Sequence, residues 1–180
     1  MVAEITTTSS ALSLPDEARA IVESRIGSEQ WNEIDRVEQE MAKLPQQICP
    51  LRHIFTHDAD GNVNLYTRLI FMAAGTRLTS RIHMFEHPHF VLQGKFKVLD
   101  DDNGWQIISA PYIGITKPGT RRVLIILEDT LFATVHVTVL DDPEKIVEAV
   151  TYPHMDLGHM DSISKEQMAA IKLNQKGGVQ

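Results

Sequence analysis

The stretch GTRLTSRIHMFEHPHFVLQG, residues 75–94, decides how this chain reads. It brings His83, Glu86, His87 and His89 within seven residues of one another. Alternate residues of a strand point to one face, so an extended 81–83 would present Arg81 and His83 together. Phe85-Glu86 reads as a turn, and His87 and His89 share a face of the next strand. Two facing strands would then converge several ligands on one point. Imidazole with carboxylate suits a divalent transition metal such as Zn, Fe, Mn or Ni. Arginine suits a different chemistry, because a guanidinium ligates metal poorly but forks well onto phosphate or carboxylate.

Outward from this stretch the pattern is β. Leu65 to Ala73 reads as a strand after the turn Asp60-Gly61-Asn62. Phe90 to Leu99 and Trp105 to Ile108 form a hairpin across 100–104, a segment rich in Asp, Asn and Gly. Tyr112 to Thr116, Val123 to Leu127 and Leu131 to Leu140 come next, separated by Lys117-Pro118-Gly119 and by Glu128-Asp129. Closely spaced strands with no helix between them predict an antiparallel barrel or sandwich.

Helical patterns flank it. Ser13, Pro15, Asp16 and Glu17 open a first helix, and Gly27 breaks it. A second starts at Ser28, with Trp31, Ile34, Val37, Met41 and Leu44 along one face, and stops at Pro45. Asp142 caps a helix with Pro143 in its first turn, running to about Val150. Ser164 and Gln167 form a capping box for a last helix over about 165–173. The expected organisation is a helical extension over 1–48, a barrel over 49–140 and a helical segment over 141–180.

Composition narrows the function. The 180 residues carry a formal net charge of -7, which disfavours a nucleic-acid duplex or an anionic membrane as partner. One cysteine, Cys49, excludes an internal disulfide framework and fits a reducing compartment. The N-terminus shows no basic segment followed by an apolar core, so a cytoplasmic location is expected. Asp58-Ala59-Asp60 lacks the rest of a calcium loop. Cys49 has no activating neighbour in sequence. There is no glycine-rich phosphate loop and no serine nucleophile elbow.

The spacing of residues 75–94 resembles the first motif of the cupin superfamily: a glycine, His-x-His, a glutamate and a closing glycine. His83 matches the second histidine and Gly94 the closing glycine. Lys117-Pro118-Gly119-Thr120-Arg121-Arg122 resembles the second motif, Pro-x-Gly followed by a histidine. The resemblance covers roughly residues 65–140. It implies a mainly β fold, an antiparallel cupin-like β-barrel (a double-stranded β-helix or jelly roll) with N-terminal and C-terminal helices. Three positions depart from the pattern. Arg81 replaces the first histidine, His87 stands at the glutamate position with Glu86 one residue earlier, and Arg122 replaces the second-motif histidine. Cys49-Pro50-Leu51-Arg52-His53, Tyr66 to Phe71 and Glu128-Asp129-Thr130 further resemble short cupin-like proteins of bacteriophages.

These residues support two functional readings. In the first, the barrel binds a small anion, a nucleotide or sugar phosphate, through Arg81, Arg122, His83, Glu86, His89 and His136. The bacteriophage resemblance extends this to sequestration of a host signalling nucleotide. In the second, His83, His87 and Glu86 hold one divalent transition metal for an oxygenase, isomerase or lyase. His136 would join either set if its strand face points inward. An assembly role, with the N-terminal helices as an interface, is a third class. The cupin resemblance implies a homo-oligomer.

Overall fold

The computed structural model describes residues 16–46, 48–100 and 104–152. Helices α1 (Asp16–Arg25) and α2 (Glu29–Ala42) precede seven strands and a helix. The strands are β1 (Leu51–His57), β2 (Val63–Met72), β3 (Arg77–Thr79), β4 (His87–Asp100), β5 (Gly104–Ser109), β6 (Tyr112–Thr116) and β7 (Val123–Val137). Helix α3 (Pro143–Val150) comes after them. The proposed last helix over 165–173 lies outside the described residues.

All strand pairings are antiparallel. β4 and β7 build the architecture, because each takes part in two layers. The second half of β7 pairs with β2, and the first half of β4 pairs with β6. The first half of β7 pairs with β3, and the second half of β4 with β5. One layer is therefore β1-β2-β7-β4-β6 and the other β3-β7-β4-β5. Both fold about a common corner, which makes the antiparallel cupin-like β-barrel expected from the sequence.

That corner has a local cause. The β4–β7 register shifts between Val91 and Phe96. Gly94 has φ 88°, and a Cβ there would lie 2.3 Å from the Asp129 carbonyl oxygen. Only glycine permits so close a backbone approach in that conformation. The sequence reading split β7 into two strands at Glu128-Asp129. It is instead one continuous strand, and its acidic pair marks the outside of the bend. Asp129 accepts a hydrogen bond from the Ala74 amide there, at 2.9 Å.

The helices cover the outer face of the β3-β7-β4-β5 layer. Ala18, Val22, Trp31 and Ile34 form one core with Ile82, Met84, Leu99 and Val123. Ser28 caps α2 by accepting from the Trp31 amide, and Gly27 with φ 78° ends the preceding turn. Of the apolar stripe on α2, Trp31 and Ile34 are buried, whereas Leu44 is exposed. Arg121, only 2 % exposed, holds this packing. It donates to Asp35 and Glu38, each at 2.6 Å, and lies over the Trp31 ring. Asp142 caps α3 through the Glu144 and Lys145 amides. No helix among the described residues is long and apolar enough to cross a membrane.

Candidate functional site

The inner faces of the two layers enclose a cavity of about 430 Å³. Strand alternation aims its lining inward: Tyr66, Arg68, Ile70 and Met72 from β2, His87 and His89 from β4, Phe132, Thr134 and His136 from β7. Ile146, Val147 and Val150 of α3 close one side.

The registers arrange these residues in rungs. Tyr66 faces His136, and His87 faces Thr116. On the next rung Arg68 faces Thr134, which faces His89, which faces Gly114. A Cβ on Gly114 would meet the His89 ring at 2.6 Å, so a bare backbone there leaves room for the imidazole. His83 is not on a strand. Its amide donates to the Thr120 carbonyl at 3.1 Å, and its own carbonyl accepts from the Gly119 amide at 2.7 Å. A bridge to Thr151 holds the other side. This clamp sets the His83 ring 4.6 Å from that of His87, which lies 4.3 Å from that of His136.

The three imidazoles are neutral at physiological pH. Burial, then His87, His136, Arg122 and Arg68, push His83 down to about 2. Burial, then His87 and Arg68, push His136 to about 3. Burial also lowers His87, partly offset by its bond to the Phe85 carbonyl. That bond, 3.1 Å from Nδ1, puts the His87 proton on Nδ1 and leaves a lone pair on Nε2. Among the described residues, His87 Nε2, His83 Nδ1 and Thr134 Oγ1 are buried without a hydrogen-bond partner. Three unmatched polar atoms in one cavity point to a ligand that completes them.

Arg122 enters the cavity as the second-motif resemblance implied. Its Nη1 donates to Thr116 Oγ1 at 3.0 Å, and Thr116 in turn contacts His89 Nδ1 at 3.1 Å. Arg68, absent from the sequence-based set, also lines the cavity. Burial lowers its pKa, and Arg81 adds to this, against Tyr66. Among the described residues Arg68 forms no ion pair. The described lining holds Arg68, Arg81, Lys117 and Arg122 and no Asp or Glu.

Glu86 departs from expectation. It is exposed and does not line the cavity, so it joins neither the anion set nor the metal set. Strand alternation explains this, because Glu86 precedes inward-facing His87 by one residue. Arg81 lines the cavity but lies at its exposed edge. His83, His87, His89, Arg122 and His136 all reach the interior.

The donor set bears on a metal. The imidazoles are of the right kind, but no carboxylate accompanies them and two guanidinium groups face them. Among the described residues no group of three or more His, Cys, Asp or Glu side chains is arranged to hold a metal ion. The described donors therefore do not form the metal set that the first cupin motif implies.

No family model and no curated protein matches this chain. Solved structures with a similar backbone include a protein of Neisseria meningitidis, 11% identical over 56% of this chain and 95% of its own, with a TM-score of 0.41. A cupin superfamily protein of Desulfitobacterium hafniense is 9% identical over 52% of this chain and 83% of its own, TM-score 0.38. KdgF from Halomonas sp. is 18% identical over 54% of this chain and 89% of its own, TM-score 0.40. Likeness at this level assigns neither a family nor an activity.

Proposed function

We propose that this chain is a small-molecule-binding, cupin-like protein whose barrel cavity holds an anion, with the charged head between Arg68 and Arg122. One observation carries the reading. The protein has a net charge of -7, yet its described cavity lining has four cationic side chains and no carboxylate. A half-buried guanidinium without a counter-charge among the described residues, such as that of Arg68, loses part of its hydration, and an anionic ligand offsets that loss. Neutral His83 and the Thr134 hydroxyl would donate the remaining hydrogen bonds, and the His87 Nε2 lone pair would accept one from a protonated oxygen of the ligand. The head group is the supported part; phosphates and carboxylates both fit it. A nucleotide or sugar phosphate, a cytoplasmic location, self-association and a bacteriophage role belong to the same proposal and rest on the sequence reading.

Calorimetry with organic phosphates and carboxylates tests it. Arg68→Ala and Arg122→Ala should each weaken binding by about 2–5 kcal/mol, and Arg122→Lys by less. Unchanged affinity in both alanine variants would overturn the reading.

The second reading is a metal-dependent oxygenase, isomerase or lyase. The inward lone pair on His87 Nε2, with His83 and His136 beside it, is its support. Metal analysis of protein purified without a histidine tag separates the two. A stoichiometric transition metal would favour the enzyme.

A further inference from the structure

The cavity is divided along the strands, and the division bears on the part of the ligand behind its anionic head. The Arg, His and Thr groups sit on the Tyr66–His136 and Arg68–Thr134–His89 rungs or beside them. One rung further, Ile70 faces Phe132, and Phe132 faces Val91. From there to the Gly94 corner, Met72, Phe96 and Val91 pack in one apolar cluster, with Ile108 and Phe132 against it. The opposite wall continues it with Leu124, Val98 and Leu78. Tyr66 to Arg68 and Ile70 to Met72 each span roughly 7 Å of strand, so the apolar end is as deep as the polar one. Gln106, half-buried, and Tyr112, exposed, are polar side chains at this end, and both stand on outer strands.

We infer that the ligand has an apolar body behind its anionic head, so that the cavity selects aryl or short-chain acyl anions over sugar phosphates. This rests on the anionic head of the reading above and replaces the sugar phosphate named there by an anion with an apolar body. A 430 Å³ cavity is too roomy for a bare phosphate and falls in the usual range of small-molecule pockets, roughly 300–1,000 Å³. Apart from Gln106 and Tyr112, the side chains named at the inner end form no hydrogen bonds. A sugar would bring several hydroxyls there, each losing water without gaining a partner. A ring or an acyl chain loses nothing and gains buried apolar surface. Phe96 and Phe132, 6.2 Å apart in an edge-on pair, offer ring faces and edges to an aromatic body.

Three probes on the unmodified protein test this by calorimetry: phenyl phosphate, glucose 6-phosphate and benzyl alcohol. Phenyl phosphate should bind tighter than either of the others by about tenfold or more. Its binding should also show a negative heat-capacity change, the mark of apolar burial. Glucose 6-phosphate binding as tightly as phenyl phosphate would overturn the apolar body while leaving the anionic reading intact. Benzyl alcohol binding as tightly as phenyl phosphate, or no binding of either phosphate, would overturn the anionic reading, and this inference would fall with it.

Discussion

His83 and His136 carry a consequence for stability that can be worked out from their pKa values. In the unfolded chain both take a proton as pH falls through about 6.5. In the fold they stay neutral down to about 2 and about 3. Between these limits the unfolded state binds more protons than the native state, so stability falls as pH falls. Each histidine contributes a slope of about 1.4 kcal/mol per pH unit. Urea titrations from pH 7 to pH 4 should show this loss, and His83→Asn should flatten it. A variant curve parallel to the native one would contradict the assignment. The same residues show how much of the site is legible in sequence. His87 and His89 were found from spacing, because strand alternation carries side chains to one face without knowledge of the fold. Arg122 came instead from the resemblance to the second cupin motif, and His83 from its place in the histidine cluster and the first motif. Arg68 was missed. It sits in Tyr66 to Phe71, which reads as an ordinary strand, and the one clue was a lone charge on the face shared with Tyr66, Ile70 and Met72. Glu86 was misplaced because a one-residue offset from the motif reverses the face.

Among the elements, β4 and β7 determine whether the barrel closes. Their bend depends on Gly94, where both φ and the approach of the Asp129 carbonyl exclude a side chain. Gly94→Ala should destabilise the domain by roughly 2–4 kcal/mol, read as a lower urea midpoint with the same m-value. A neutral effect would mean that the corner is not built this way. The sequence reading placed a turn at Glu128-Asp129, and the physical feature there is a bend within β7. Acidic residues mark exposure, and local sequence does not separate a bend in a paired strand from a chain reversal. β3 was not anticipated. At three residues it shows no periodicity, and its pairing with β7 is set by distant register. The helices were legible for the opposite reason. Ser28 and Asp142 cap their helices through local bonds that spacing alone reveals.

At the scale of the molecule, the N-terminal helices and the barrel share one core, locked by Arg121. Its guanidinium is 2 % exposed and holds two carboxylates. Arg121→Ala should cost about 3 kcal/mol, the lower end of the range for a broken buried pair because Asp35 and Glu38 keep some water. A change below about 0.5 kcal/mol in the urea midpoint would show that α2 is not tied down at this point. Arg121 was overlooked in the sequence because its neighbour Arg122 occupies the motif position, and adjacent strand-entry residues point to opposite sides. One faces the helices and the other faces the cavity. The chain thus concentrates cationic charge inside an acidic protein, and an anion in the cavity is the central claim. The most direct measurement is an experimental structure of the protein crystallised with phenyl phosphate. The account predicts the phosphate head within about 3.2 Å of the Arg68 and Arg122 guanidinium groups, and the ring toward Phe96 and Phe132. A metal ion on His83, His87 and His136, with both arginines turned away from the ligand, would contradict it.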